Sequence, residues 1–304
     1  MSVAVLVSTY NGERFIESQI NSILIQDYNE FVIQFRDDGS NDRTKEIISC
    51  FAKQTNKIQC RFENNFGVVN SFFNLLMNCG DSFNYYCFCD QDDIWKQNKI
   101  SSAIKQMEVN NTEIPLLYFS RVEYVDEKLG HLGYSAIPKM ITFEHALVEN
   151  LATGCTIVIN RTARKLILSN LPEVALMHDW WMFLVVSAFG KIIYDPAPNI
   201  MYRQHSTNVV GGTTGRFKAN LKKVIPFFKS TFDPAKIRTS DQVREFKRLY
   251  GDKLDIQKIK FIDDFLNAKS SLVQRLKIVA SGKYTRQNFV DNVIFLILFV
   301  IGKY

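Results

Sequence analysis

With 304 residues, 46% of them hydrophobic and 13% aromatic, the chain can bury a sizeable core in one large domain or a domain with an appendage, which excludes disorder as its default state. Its net charge of +6 is unevenly placed: residues 1–215 hold 18 Lys and Arg against 23 Asp and Glu, while residues 216–304 hold 19 against 8. A basic segment of that kind usually meets phosphate, on nucleic acid or on an anionic membrane. Six cysteines without a CxxC pair argue against a disulfide scaffold, so reduced thiols in a cytosolic protein are expected. The first five residues lack the charged flank and cleavage site of a signal peptide.

Residues 3–7 (VAVLV) form an unbroken apolar run, the pattern of a strand covered on both faces. A polar turn at 8–12 follows, and then Phe15, Ile16, Ile20, Ile23 and Leu24 recur at helical spacing. A second β-loop-α unit runs from strand 31–35 through loop 36–42 into a helix carrying Ile47, Ile48 and Phe51, with Ser40 or Asn41 as its N-cap. Strand 58–62, a turn at 64–67 and a helix over 68–78 make a third. Residues 85–89 are the fourth strand, and Cys87 and Cys89 share one face of it, as core rather than as zinc ligands.

Residues 116–119 and 156–159 read as further strands, and 126–137 as a loop or hairpin over the site. The apolar run 182–189 suits a buried helix, 191–194 a short strand, 202–205 a strand end and 211–215 a flexible joint. Beyond the joint, Leu254, Ile259, Ile262, Phe265, Leu266, Leu272, Val273 and Leu276 fall near a 3.6 period among lysines and arginines. Residues 293–301 are apolar throughout but too few to span a bilayer, which takes about 20.

The fourth strand ends in Asp90, Gln91, Asp92 and Asp93. Carboxylates this close repel one another and gain nothing from burial, which calls for a cation. Clustered hard oxygens with room for water and phosphate suit Mg²⁺ or Mn²⁺; a solvated acidic turn is the plain alternative. Each polar loop follows a strand, so in a mostly parallel sheet the loops gather at one edge, where such sheets bind ligands.

Taken in order, VLVSTYN (5–11), RDDGSND (36–42), DQDDIW (90–95), Thr153 Gly154 Cys155, His178 Asp179 Trp180 Trp181 and YRQH (202–205) resemble the family 2 glycosyltransferases over roughly residues 1–212. More narrowly they resemble bacterial members that add rhamnose or related hexoses to surface polysaccharides. The resemblance implies an α/β fold of GT-A (Rossmann-like) type, with a mixed, mostly parallel sheet flanked by helices. It also implies a divalent cation and inversion at the anomeric carbon. The catalytic domain would occupy 1–215 and a basic helical extension 216–304.

Carried over residue by residue, the resemblance makes Asp92 the metal ligand, His205 its partner in the metal shell, and Asp90 a neighbour of ribose or metal. Asp38 would accept the N3 proton of a pyrimidine base. Thr9, Tyr10 and Glu13 would line the nucleotide, Gln91 and Arg203 would face the donor, and Asp179 would be the catalytic base. Read without it, Asp37 and Asp38 suit turn or capping chemistry, Tyr10 a core aromatic, and Asp179 a helix cap. His178 stands where most relatives have Glu and is given no catalytic role.

The tail lacks zinc spacing and its aromatics lie on the apolar stripe, which disfavours nucleic acid. A basic amphipathic segment with an apolar end suits anionic lipid, at the inner face of the cell membrane. A solvated helical cap or a homo-oligomer contact is the alternative. The expected reaction is transfer from dTDP-L-rhamnose, or secondly a UDP-hexose, to a glycan or lipid-linked acceptor of a bacterial surface polysaccharide. A nucleotidyltransferase would need a basic Gly-rich loop after the first strand, and a dehydrogenase GxGxxG; residues 8–12 supply neither. A non-catalytic sugar-nucleotide sensor or assembly partner is the rival from another class.

Overall fold

The computed structural model describes residues 1–205 and 237–304. The joint expected at 211–215, and the domain boundary placed after it, lie outside the described residues. The chain divides into two compact units, one of Met1–Ile137, Ala152–Leu171 and Met177–Gly212, the other of Pro138–Leu151, Pro172–Leu176 and Thr213–Tyr304.

In the first unit the strands are β1 (Val3–Thr9), β2 (Phe31–Asp37), β3 (Ile58–Phe62), β4 (Tyr85–Cys89), β5 (Ile94–Trp95), β6 (Leu116–Ser120), β7 (Glu123–Val125), β8 (His131–Tyr134), β9 (Val158–Asn160), β10 (Lys191–Asp195) and β11 (Ile200–Arg203). Its helices are α1 (Ile16–Leu24), α2 (Thr44–Gln54), α3 (Val68–Asn78), α4 (Lys99–Glu108), α6 (Arg161–Leu168) and α7 (His178–Phe189); α5 (Phe143–Val148) falls in the second unit. Seven strands make one sheet in the order β10, β6, β9, β4, β1, β2, β3, parallel except for β9. A smaller sheet has the order β5, β11, β7, β8.

The apolar strands are covered on both faces, as their composition requires. On one, Val3, Val5, Val7, Cys87 and Cys89 share a core with Ile16, Ile20 and Ile23 of α1 and Ile100 and Ile104 of α4. On the other, Phe88 lies 5.9 Å, ring to ring, from Phe72 of α3. Burying a side chain such as Phe88 contributes about 1.5–3 kcal/mol, so β4 is held from both sides and its end is a fixed point. Burial also pushes the Cys87 thiol up to about 11, as befits an inert core cysteine.

Four expectations are corrected. β2 continues past residue 35 through Arg36 and Asp37, because the buried Arg36 finds acceptors on Asp38, Glu63, Ser71 and Asn64. The cap of α2 is neither Ser40 nor Asn41: the Ser40 hydroxyl is held by Asp37, and Asp42 accepts from the Thr44 N–H instead. The strand expected at 156–159 begins only at Val158, since Gly154–Thr156 is a 3₁₀ turn closed by Thr156 N–H and Oγ1, both bonding to Thr153 O. The segment 126–137 does form a hairpin arm, β8 pairing with β7.

The fourth correction concerns the second unit, whose helices are α5, α8 (Thr239–Tyr250), α9 (Ile256–Asn267), α10 (Leu272–Ser281) and α11 (Phe289–Val300). The stripe from 254 to 276 is not one face. A 3₁₀ turn, Ala268–Ser270, breaks it, with Ile262 and Phe265 buried before the break and Leu272, Val273 and Leu276 exposed after it. Segments 138–151 and 172–176, assigned from the sequence to the 1–215 domain, pack with these helices. Phe143 lies against the Phe246 ring, Gln287 bonds to Met140 O and Glu149, and Gln242 accepts from Leu176 N–H. No helix among the described residues is long and apolar enough to cross a membrane.

At the end of α7, a Cβ added to Gly190 would stand 2.0 Å from Pro115 O, a main-chain atom also bound by Lys191 N–H. Neither side can yield cheaply. Gly190→Ala is therefore expected to destabilise the fold by about 1–3 kcal/mol, read as a lower urea midpoint at unchanged slope.

Candidate active site

The loops after β1 and β2 are tied to each other before any ligand is considered. Asp38 N–H bonds to Thr9 O at 2.7 Å, Asn11 N–H to Ser40 Oγ at 2.8 Å, and Gly12 N–H to Thr44 Oγ1 at 2.8 Å. Thr9 Oγ1 donates to Asp37 Oδ2 at 2.9 Å. The Glu13 carboxylate accepts from Arg43 N–H at 3.0 Å, so it serves the start of α2. Tyr10 is 46% exposed and so is not a core aromatic.

Asp38 is buried, and its Oδ1 accepts from Arg36 Nη1 at 2.5 Å and from Phe66 N–H at 2.8 Å, while Oδ2 accepts from Gly67 N–H at 3.0 Å. A carboxylate offers about four lone-pair directions, so these bonds leave capacity for one more donor such as a ring N–H. Gly67, at φ +78°, takes the left-handed turn that aims both N–H groups at Asp38. Arg36 went unassigned in the sequence reading, although a cation at the end of an apolar strand is itself a signal.

The acidic tetrad links the two sheets of the first unit, leaving β4 and entering β5. Gln91 pairs with the main chain of Tyr10 as a strand would, its Oε1 accepting from Tyr10 N–H at 2.8 Å and its Nε2 donating to Tyr10 O at 3.0 Å. Gly12 permits this approach, because a Cβ there would meet Gln91 Oε1 at 2.3 Å. The antiparallel register of β5 and β11, Ile200 opposite Trp95 and Met201 opposite Ile94, folds the end of β11 back on the tetrad. Arg203 N–H therefore reaches Asp93 Oδ1 at 3.1 Å, and His205 Nε2 lies 2.9 Å from Asp92 Oδ2.

The buried Arg203 guanidinium bonds to the main-chain oxygens of Asp92 at 2.8 Å and Glu127 at 2.6 Å, a position that braces the Asp92 loop from behind. Burial, then Asp92 and Asp179, push the Asp90 carboxyl up to about 7. Burial, then Asp92 and Asp90, hold Asp93 well above the usual carboxylate range, and its Oδ2 has no hydrogen-bond partner among the described residues. Asp90, Asp93 and Cys155 bring ligand-type atoms within 4.8 Å of one another.

Two atoms each about 2.1 Å from one octahedral ion, at right angles, stand about 3 Å apart. Asp92 Oδ2 and His205 Nε2, within hydrogen-bond distance of each other, have that spacing, and a carboxylate and an imidazole are both ligand types for a divalent cation. The residues present therefore fit a divalent cation. Lys99, also missed from the sequence, is buried with its Nζ 4.0 Å from the Trp95 ring centroid.

Asp179 sits in the first turn of α7, nearly buried. Its Oδ2 accepts from Gly154 N–H at 3.0 Å and its Oδ1 from Trp180 N–H at 2.6 Å, which fixes the direction of the carboxylate. Beside it His178 is stacked on Phe72 at 4.0 Å, and burial lowers its imidazole to about 3. Neither ring nitrogen of His178 has a hydrogen-bond partner among the described residues. After burial, the charges of both Asp92 and Asp179 push the Asp90 carboxyl up.

A mostly parallel sheet with clustered carboxylates, a histidine and a separately held carboxylate is a GT-A arrangement. The description "Glycosyl transferase family 2" matches residues 4–171, and the chain belongs to that family. It is 32% identical over 230 residues to dTDP-rhamnosyl transferase RfbG of Shigella flexneri, covering 72% of this chain and 78% of that protein. It is 30% identical over 161 residues to the UDP-Glc:alpha-D-GlcNAc-diphosphoundecaprenol beta-1,3-glucosyltransferase WfgD of Escherichia coli, covering 53% and 60%. Among solved structures, S. aureus TarS 1-349 in complex with UDP-GlcNAc superposes with a TM-score of 0.56 at 16% identity, over 100% of this chain and 93% of that one. The mannosyltransferase PcManGT from Pyrobaculum calidifontis, in complex with GDP-Man and Mn2+, gives 0.50 at 16% identity, over 99% and 85%.

Proposed function

We propose that the protein is an inverting, metal-dependent hexosyltransferase that uses dTDP-L-rhamnose to extend a bacterial surface glycan on a glycan or lipid-linked acceptor. The observation that carries this reading is the approach of Asp92 to His205, together with Asp179 held by Gly154 N–H, one residue from Cys155, which clusters with Asp90 and Asp93. The likeness to the rhamnosyl transferase RfbG favours the donor sugar. A UDP-hexose is the second reading, favoured by the likeness to WfgD.

In this reading Asp38 receives the N3–H of the pyrimidine through its remaining lone pair, while Thr9 and Tyr10 border the nucleoside. Gln91 holds the Tyr10 main chain, and Arg203 holds the loop that carries Asp92. A bound Mn²⁺ or Mg²⁺ would offset the charge of the departing diphosphate. Asp179 takes the proton of the acceptor hydroxyl as its oxygen forms the new bond to the anomeric carbon. The bond to phosphate breaks on the opposite face, its electron pair leaving with the nucleoside diphosphate, so configuration inverts without a covalent intermediate. The domain assignment 1–215 and 216–304 is kept as part of the proposal, as is a peripheral position at the cytoplasmic face of the membrane.

A thermal-shift comparison of dTDP-rhamnose, UDP-glucose and UDP-GlcNAc, with and without Mn²⁺, tests the donor. At about 100 times its Kd, a ligand that binds only the folded state stabilises it by about 2.7 kcal/mol. The largest rise is expected with dTDP-rhamnose and Mn²⁺. UDP-hexose ahead of it favours the second reading, and no response to any nucleotide sugar refutes both.

A further inference from the structure

The apolar residues of α11 are divided between two faces. Phe295 and Phe299 are buried, Phe299 against the Phe265 ring at 5.6 Å. The opposite face consists of Phe289, Val293, Ile297 and Ile301 at intervals of four residues, flanked by Val290 and Ile294, all exposed. Phe289 is 80% and Ile297 53% accessible. In α10, which packs on α11, Leu272 and Leu276 are also exposed. Exposed apolar side chains scattered singly are ordinary, but a continuous row over three helical turns marks an interaction surface.

The charge of the same segment selects the partner. Residues 268–304 contain six Lys and Arg and one acidic residue, Asp291. Lys277 lies on α10, and Lys283 follows α10 at the turn made by Gly282, both exposed. A protein partner of neutral surface would match the apolar row and leave the cations unused. An apolar row in a segment whose Lys277 and Lys283 make no ion pair among the described residues, Lys283 lying 5.4 Å over the Phe261 ring, matches a surface with hydrocarbon below and anionic phosphate above. Since no helix among the described residues is built to cross a bilayer, the mode is insertion of one helix face.

We infer that α10 and α11 form a monotopic docking face for anionic phospholipid, with Phe289, Val293, Ile297 and Ile301 entering the acyl boundary and Lys277 and Lys283 meeting headgroup phosphates. This deepens the peripheral-membrane part of the proposed function and needs neither donor nor acceptor, so it can fail while the transferase reading stands.

The experiment uses the full chain with vesicles of phosphatidylcholine alone or with phosphatidylglycerol added. Sedimentation with the anionic vesicles is expected, with weak binding to phosphatidylcholine and release at high salt. Lys277→Gln with Lys283→Gln is expected to weaken binding about tenfold or more. Val293→Asn with Ile297→Asn, at exposed positions that spare the fold, should abolish it while the thermal midpoint stays put. Ile297→Trp adds a reporter whose emission should shift to the blue and be quenched by brominated acyl chains. No binding to anionic vesicles, equal binding to both compositions, or an Ile297→Trp signal unaffected by brominated lipid overturns the inference. Self-association that Val293→Asn with Ile297→Asn removes, without vesicle binding, assigns the face to a second copy and overturns it too.

Discussion

Asp179→Asn is expected to lower the rate of sugar transfer about 10²–10⁴-fold, the usual contribution of a positioned general base. The substitution is nearly isosteric, and the Asn carbonyl can still accept the Gly154 N–H that now bonds to Oδ2 at 3.0 Å. What disappears is the capacity to take a proton, together with the Oδ1 acceptor that Trp180 N–H now uses at 2.6 Å. Donor affinity, measured by calorimetry with Mn²⁺ present, should therefore stay close to that of the native protein, so kcat falls and donor binding does not. Turnover near the native rate would exclude Asp179 as the base.

The second large effect is expected at the other end of the tetrad. Asp92→Ala removes one of the two side chains 2.9 Å apart and leaves His205 facing a gap. Removing a group that merely supports a ligand costs about 10–100-fold in metal affinity. Loss of a direct ligand should therefore lower Mn²⁺-dependent donor affinity by at least about 100-fold. The same calorimetric titration without Mn²⁺ provides the contrast, since the donor contacts proposed for Asp38 and Tyr10 would be unaltered. If Asp92→Ala loses no more affinity with Mn²⁺ than without it, Asp92 does not hold the cation.

The first half of the parallel sheet was legible because most of its strands are short apolar runs followed by a polar turn and a helical period. β1, β2 and β4 obey that rule, β3 (IQCRF) alternates instead and is marked by the turn and helix after it, and the sequence of β4 announces both its double burial and its acidic end. β9 does not obey it. It has three residues, runs against its neighbours and is entered through a 3₁₀ turn whose Gly154 N–H is committed to a side chain 25 positions away. Such a bond has no local period to read.

The same distinction separates the site residues. Asp38, Asp92, Asp179 and His205 were named from motif resemblance; strand ends place Asp38 and Asp92, the β5–β11 register places His205, and the first turn of α7 places Asp179. Arg36 and Lys99 were missed because each is a charge whose partners come from distant segments or from an aromatic face. Arg203 shows the converse case. The motif marked it for the donor, and its guanidinium is committed to two main-chain oxygens in the described structure. In the second unit, the break at Ala268–Ser270 turned a single continuous stripe into an inner and an outer one, which spacing alone does not reveal.

The pairing of Gln91 with both polar groups of Tyr10 has a mechanical consequence. An amide side chain serves there as a rung, so the segment proposed to border the nucleoside and the segment offering carboxylates form a single stiff jaw. Much of the ordering that a flexible pair of loops would undergo on meeting the donor is already present in the chain, and less of the donor's intrinsic affinity is consumed in creating it.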